Sequence, residues 1–292
     1  MKTSIFGLAL LILSSFSLAC SADIIVDDNF DDGDLTMNLA GIGTGFTVSN
    51  SSGGNFTEAG TEASFGGTGG ASRSFLISNE DFDANGALST TTTFVVNEFG
   101  RQTTDNSSTG RFFVGLSDAT AQNGVIQNTV DGLWVVLQAN EDVGPAENTI
   151  DNGNGGLFFI DGSTVTALGL WTWNTDLVDV DTASTFRSDR ISQDLLPNED
   201  LTIELSSDAV GYSLSFSTNG VGTVPTAISG TYAAAGITND LTQVSAVVAG
   251  QGDQNNFVVD QVVVRVNAVP EPSSFALVAG LGGLVFTRRR RR

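Results

Sequence analysis

The sequence contains no histidine and only one cysteine, Cys20. Without histidine, the chain cannot form a Ser-His-Asp triad, an imidazole proton relay or a histidine-ligated zinc site. Cleavage after Ala22 would remove Cys20, and the remaining body would have no disulfide, thiol nucleophile or cysteine metal ligand. Hydrolytic chemistry would therefore have to use paired carboxylates.

Basic residues are also scarce, with 12 lysines and arginines against 33 acidic residues and a formal net charge of −21. Five arginines stand at the C-terminus, so residues 23–268 hold 32 acidic residues and six arginines, a formal charge of −26. Such a surface repels nucleic acid and anionic lipid and favours cations or neutral polymers. A need for solubility in a salty habitat explains the same composition without any partner.

Residues 1–22 predict a secretory signal peptide. A short basic start precedes the apolar stretch Ile5–Leu13, and small residues follow, with cleavage by signal peptidase expected after Ala19 or Ala22. Ser17 stands where a lipoprotein signal has a large aliphatic residue, so lipidation of Cys20 is the less favoured alternative. The body at residues 23–268 is then exported across the inner membrane.

Residues 269–292 combine an extended turn, a short apolar segment and a basic end. Pro270 and Pro272 flank Glu271 and favour an exposed, extended stretch that a processing enzyme could grip. Phe275–Phe286 predicts a hydrophobic helix of roughly 18 Å, shorter than the hydrocarbon core of a bilayer. A helix packed on the body is the alternative. The basic end favours the cytoplasmic side of a membrane and consists of Arg288, Arg289, Arg290, Arg291 and Arg292.

This order of features resembles the PEP-CTERM sorting signal of Gram-negative bacteria. The resemblance is carried by Pro270-Glu271-Pro272, the glycine-rich stretch Ala279–Leu284 and the terminal arginines. It implies recognition by exosortase, a membrane transpeptidase-like enzyme, and removal of the tail near Pro-Glu-Pro. It also implies a transient membrane anchor followed by release to, or attachment at, the cell surface or extracellular matrix, often beside extracellular polysaccharide.

The body predicts an all-β protein, an antiparallel β-sandwich of jelly-roll type. Short runs of Val, Ile, Phe and Thr alternate with Gly, Asn and Asp clusters, as in sandwiches. Residues 202–206 and 212–216 alternate most strictly and predict a hairpin with one apolar face. The predicted strands are Ile24–Phe30, Phe46–Ser49, Ala63–Gly66, Ser72–Ile77, Ala87–Val96, Arg111–Leu116, Gly132–Gln138, Gly155–Ile160, Thr164–Leu168, Asp200–Ser206, Gly211–Thr218, Gly222–Ile228, Leu241–Val248 and Asn256–Val266.

The body also resembles the concanavalin A-like lectin/glucanase and laminin-G-like sandwiches. The residues that carry this resemblance are Arg111–Asp118, Gly132–Val136, Thr202–Phe216 and Phe257–Val264. It implies two antiparallel sheets of carbohydrate-binding character. The glucanases of this class use a Glu-x-Asp-x-x-Glu strand, which the sequence does not contain.

An acidic segment at residues 27–34 predicts a structural Ca²⁺ ion. Five carboxylates and an amide lie within eight residues, and calcium prefers oxygen ligands of this kind. The first and last strands of a sandwich often pair, which would bring Asp28 or Asp31 near Asp260. A charged turn without metal is the alternative, since Asp32 stands where an EF-hand loop needs glycine.

Two tryptophans in one strand predict a sugar-binding site. Trp171 and Trp173 are two residues apart, so they face the same side, and Asn174 and Asp176 could bind sugar hydroxyls. Burial of both tryptophans in the core is the alternative. Trp134 lies within an apolar strand and is predicted to be a core residue.

Three functions follow from these observations. The first is a non-catalytic surface or matrix protein associated with exopolysaccharide, and the second is a lectin-like carbohydrate-binding module. The third is a secreted glycosidase or lyase. Its support is weak, because each of the available carboxylate pairs is expected in a solvated turn or at a strand edge; the pairs lie at residues 80–83, 141–142 and 199–200.

Overall fold

The computed structural model describes residues 22–39, 41–51, 53–101, 111–118, 130–138, 155–162, 164–171, 200–219, 224–253 and 255–267. Ile24–Val266 forms one compact unit. The strands are β1 (Ala22–Asp28), β2 (Phe46–Ser51), β3 (Asn55–Glu58), β4 (Ala63–Gly66), β5 (Thr68–Ser78), β6 (Thr90–Arg101), β7 (Arg111–Ser117), β8 (Gly132–Gln138), β9 (Gly155–Asp161), β10 (Thr164–Trp171), β11 (Leu201–Ser207), β12 (Gly211–Thr218), β13 (Ile228–Thr231), β14 (Ser245–Asp253) and β15 (Asn255–Asn267).

The strands form two antiparallel sheets. An eight-stranded sheet has the order β13-β12-β11-β6-β15-β4-β3, with β1 also paired to β15, and a seven-stranded sheet has the order β10-β9-β8-β7-β14-β5-β2. The predicted all-β sandwich is therefore confirmed, as is the pairing of the first strand with the last.

The main core lies between the two sheets and follows from the alternation of side chains along each strand. On β8, Leu133, Val135 and Leu137 face this core, and β11 contributes Leu201, Ile203 and Leu205 from the other sheet. Phe112 of β7 and Phe257 of β15 meet across the two layers with ring centroids 4.7 Å apart. The predicted hairpin at β11 and β12 thus has its apolar face in the core.

The outer face of the seven-stranded sheet is also apolar. Phe113, Trp134 and Phe158 alternate with the inward-facing residues of β7, β8 and β9, and all three are fully buried in a second cluster. The Trp134 indole N–H donates to the Val130 carbonyl at 3.1 Å. Trp134 is therefore a core residue as predicted, and buried rings of this kind are not available for stacking on a sugar.

Several bounds of the strand prediction are wrong. The first strand ends at Asp28 rather than Phe30, and residues 87–89 and 241–244 precede β6 and β14 without belonging to them. Residues 224–227 are not in a strand, and β13 begins only at Ile228, because Pro225 has no N–H to donate to a ladder. The strand predicted to end at Val96 ends too early, because β6 continues to Arg101 along the long strand β15. The short strand β3 was not predicted, since four residues with a single buried aromatic, Phe56, give little periodic signal.

Both chain ends lie outside the described residues, so the signal peptide and the tail at residues 269–292 remain predictions. Among the residues that the structure describes, no helix has the length and apolar character needed to cross a membrane.

A glycine between the sheets gives a test of this packing. A methyl group on Gly250 of β14 would overlap the ring of Phe65 on β4, so Gly250→Ala should lower the free energy of unfolding by about 1–3 kcal/mol. Urea denaturation measures the change. Gly66→Ala is the control, because a methyl group there meets no atom within 4 Å. Equal losses in the two variants would contradict the packing.

Candidate functional site

A polar cavity of about 460 Å³ lies at one end of the seven-stranded sheet. This volume lies in the range of small-molecule sites, although such sites are usually lined mainly by apolar side chains. The cavity is lined by Thr47, Ile77, Ser78, Asn79, Asp81, Asp118, Asp131, Asp240, Leu241, Thr242, Gln243 and Ser245.

The ends of three adjacent strands position one side of the cavity. β14 lies between β5 and β7, and the cavity stands where β14 begins and its two neighbours end. The Ser245 hydroxyl donates to Asp81 Oδ1 at 2.9 Å, and the Ala246 N–H donates to Ser78 Oγ at 3.0 Å. These bonds connect β14 to the segment that follows β5.

Asp131 is held in place on the opposite side. Its carboxylate Oδ1 accepts the Gly162 N–H at 2.6 Å, and its carbonyl accepts the Ser117 hydroxyl at 2.7 Å. These contacts connect the start of β8 with the ends of β7 and β9. The strand termini thus hold Asp131 beside the cavity.

The carboxylates near the cavity repel one another. Burial raises the pKa of Asp118, and the charges of Asp131 and Asp240 raise it further. Burial also raises the pKa of Asp240, with additional contributions from Asp161 and Asp131. Among the described residues that line the cavity are four aspartates and no lysine or arginine. The cavity can therefore accept hydrogen bonds from hydroxyl or ammonium groups, whereas it repels anions.

The backbone of Trp171, the one described residue of the predicted aromatic site, lies away from this cavity. Trp171 pairs with Gly155 at the end of β9 opposite to Asp161, so its backbone lies roughly 20 Å along the strand from the cavity end. Only the backbone of Trp171 is described, and Trp173, Asn174 and Asp176 lie outside the described residues. Sugar binding by these four residues remains a prediction.

The structure places two of the predicted calcium ligands in one acidic group. Asp28 is only 3% exposed, and burial raises its pKa to about 6. The Phe30 N–H donates to Asp28 Oδ1 at 2.9 Å and opposes this shift, whereas Asp32, Glu58 and Asp31 add to it. Asp28 Oδ2 is buried without a hydrogen-bond partner.

The third predicted ligand, Asp260, lies in a different acidic group. Burial raises its pKa to about 6, and the charges of Asp200 and Glu62 contribute to the shift. Its carboxyl also hydrogen-bonds to Asn97 and Asp200. The neighbouring residue, Gln261, is the one that reaches β1, where its amide donates to Asp27. Among the described residues, no three carboxylates form a ready-made metal-binding group.

Sequence reasoning did not identify Asp118, Asp131 and Asp240 as one group. Asp118 and Asp131 stand at the end and the beginning of predicted strands, which is a weak signal for a shared site. Asp240 is distant from both in the chain and meets them only because β14 pairs with β7. Asp81 belongs to the carboxylates at residues 80–83, which the sequence offers as a weak catalytic pair or a solvated turn and not as part of this cavity.

No protein-family model and no curated protein matches the chain. Among solved structures, the two sheets match lectin sandwiches. The metal-free VIP36 exoplasmic/lumenal domain has a TM-score of 0.54 and 10% identity, covering 86% of this chain and 95% of that chain. The Ca²⁺/Man-bound form of the same domain has a TM-score of 0.53 and 9% identity, covering 84% and 91%. The body therefore has a lectin-like β-sandwich fold.

The raised pKa values predict that the protein becomes more stable on acidification. Between pH 4 and pH 6, folded Asp28 keeps a proton that the unfolded chain has released, so the free energy of unfolding falls as the pH rises and levels off above about pH 7. Asp28 alone contributes at most ~3 kcal/mol. Asp28→Asn should flatten the profile measured by urea denaturation in chelator.

An exposed acidic residue provides the control for this measurement. Glu204→Gln removes one surface charge from β11 and should leave the slope between pH 4 and pH 6 nearly unchanged. An unchanged slope in Asp28→Asn would show that general charge repulsion, rather than this buried carboxyl, causes the pH dependence.

Proposed function

We propose that the chain is an exported surface or extracellular-matrix protein whose β-sandwich is a non-catalytic, lectin-like carbohydrate-binding module. The observation that carries this proposal is the acidic cavity at the end of the seven-stranded sheet, formed on a lectin-like fold. Aspartate and amide side chains are hydrogen-bond partners that suit a ligand rich in hydroxyl groups. The polar lining disfavours a mainly apolar ligand.

The charge of the cavity narrows the class of glycan. Asp81, Asp118, Asp131 and Asp240 line one cavity, and the body carries a formal charge of −26. A polyanionic polysaccharide would be repelled at the site and across the whole surface. We therefore favour a neutral exopolysaccharide, or one with amino sugars whose ammonium groups the aspartates would attract.

Delivery to the surface follows from the two chain ends. Signal peptidase would remove residues 1–22. The apolar segment and the terminal arginines would then hold the chain in the inner membrane of a Gram-negative bacterium, where exosortase would act near Pro270-Glu271-Pro272. This part of the proposal rests on the sequence alone. It places the sandwich where extracellular polysaccharide is found.

A glycan-binding assay tests the proposed site. We expect the purified protein to bind a neutral glucan, mannan or galactan, or chitosan, and not alginate. Asp118→Asn with Asp240→Asn should weaken binding roughly tenfold to a hundredfold, because a hydrogen bond to a charged group contributes about 1.5–3 kcal/mol. Microscale thermophoresis measures the Kd.

The matched control removes two exposed charges elsewhere, with Glu204→Gln and Asp23→Asn, and should leave the Kd unchanged. Loss of binding in Trp171→Ala or Trp173→Ala, but not in the cavity variant, would assign the site to the tryptophans instead of the cavity. Failure to bind any glycan would contradict the lectin function, and release of reducing sugar would contradict the non-catalytic assignment.

Replacement of Pro270, Glu271 and Pro272 by alanine tests the sorting step. In an exosortase-bearing host, the variant should remain uncleaved in the membrane fraction, because the processing enzyme would no longer find its extended recognition segment. Fractionation and mass analysis report the outcome. Alanine at Ser273 and Ser274 is the control, and normal processing of the Pro-Glu-Pro variant would refute exosortase sorting.

A further inference from the structure

We infer that the outer face of the eight-stranded sheet is a second carbohydrate-binding surface, where hydroxyl side chains of β6, β11 and β12 bind an ordered, neutral polysaccharide. This hydroxyl array belongs to the other sheet from the acidic cavity and shares no residue with it. The inference rests on the proposed function only for the class of ligand, a polysaccharide, and it assigns a separate surface to the ordered form of that polymer.

The array follows from the alternation of side chains along three adjacent strands. Every second residue faces the core, as Phe94, Ile203 and Leu214 do, so the residues between them face outward. Glu204 and Val95 occupy two of the nine outward positions. The other seven carry hydroxyl groups and are Thr91, Thr93, Thr202, Ser206, Ser213, Ser215 and Ser217. This face therefore has a single charge, although the body carries a formal charge of −26.

The strand register arranges these side chains in rows. Each outward residue of β11 lies opposite an outward residue of β6 and one of β12, as Ser206 does with Thr91 and Ser213. Neighbouring strands are about 4.7–4.9 Å apart, and alternate residues are roughly 6.7 Å apart along a strand. An ordered polymer with repeating hydroxyl groups can contact several of these rows at once, whereas a single sugar contacts only one or two side chains.

The array is open to a ligand. Ser213 and Ser217 are exposed, and Thr202 is half-buried. The hydroxyl groups of Thr91 and Ser206 lie 2.9 Å apart and share one hydrogen bond. Because each hydroxyl can donate one hydrogen bond and accept two, the array keeps donors and acceptors for sugar hydroxyls of either sense.

The centre of the array contains an unsatisfied hydroxyl group. Thr93 is 8% exposed, and its Oγ1 is buried without a hydrogen-bond partner. Its neighbour in register is Glu204, whose carboxylate is 3.4 Å from the Ser215 hydroxyl and does not bond to Thr93. A buried hydroxyl without a partner costs stability, so a ligand that supplied the missing hydrogen bond would gain free energy.

A hollow of about 250 Å³ adjoins the array at the row of Ser206 and Ser213, which both line it. It is smaller than the roughly 300–1,000 Å³ of sites for drug-sized ligands, so it suits one sugar ring. Asp208 is fixed at the hollow, because its Oδ1 accepts the Val210 N–H at 2.7 Å and the Gly211 N–H at 2.8 Å. One unit of the polymer would occupy this hollow while the following units lie along the array.

A depletion assay on insoluble polysaccharide tests the inference with microcrystalline cellulose and crystalline chitin as probes. We expect the purified protein to bind at least one of them. The array variant, Thr202→Val with Ser213→Ala and Ser217→Ala, should bind roughly tenfold to a hundredfold more weakly, because three hydrogen-bonding groups are lost. None of the three side chains is buried, and valine keeps the β-branched shape of threonine, so the Tm should stay unchanged.

The matched control removes three exposed hydroxyl groups elsewhere, with Thr57→Val, Thr226→Ala and Thr238→Ala, and should bind like the wild type. The cavity variant, Asp118→Asn with Asp240→Asn, should also retain binding to the insoluble polymer.

Three outcomes would overturn the inference. The first is that the wild type binds neither polymer, or that the array variant binds as well as the wild type. The second is loss of binding in the cavity variant alone, which would assign all glycan binding to the cavity and leave the proposed function intact. The third is a dimer in sedimentation experiments that only the array variant abolishes, which would assign the face to a second copy of the chain.

Discussion

Apolar packing on both faces of the seven-stranded sheet constrains the rest of this molecule. Phe112 and Phe113 are neighbours on β7, yet one belongs to the core between the sheets and the other to the outer cluster, and both are fully buried. Aromatic rings that are buried in this way stabilise the fold and leave little of the described sheet face for a polar ligand. Charged side chains that could bind a ligand are consequently concentrated at strand ends and in the connecting turns.

Two of the three acidic groups follow this constraint, whereas Asp260 lies inside β15 at a shift of its register with β6. One group stands at the end of the seven-stranded sheet around Asp131, a second follows β1 around Asp28, and a third surrounds Asp260 on the eight-stranded sheet. In each group, partial burial and like charges raise pKa values together, which costs stability near neutral pH. Cations and hydroxyl-rich or amino-bearing ligands would relieve this repulsion, whereas anions would increase it.

The local patterns predicted much of the fold because each depends on neighbouring residues. Alternation in β11 and β12 identified the hairpin, and bulky apolar runs identified β7, β8 and β15. The prediction failed where pairing with a neighbouring strand, rather than the local pattern, decides where a strand begins or ends. Pro225 has no N–H to donate to a sheet ladder, so the extended chain there is not a strand. At Asn97, the long partner strand β15 extends β6. The candidate site was not predicted, since Asp118 and Asp240 come together only through the pairing of β7 with β14.

The sequence by itself determined that the protein has no histidine, an acidic body and an all-β pattern, and the composition of its two ends predicts export and sorting. These properties depend on residue type and local order alone. Only the tertiary structure decided which carboxylates share a site, because sheet register sets distances between residues that are remote in the chain. It placed Asp28 with Glu58 rather than with Asp260, and it assembled the cavity from the ends of strands that are separated in sequence and adjacent in the sheet.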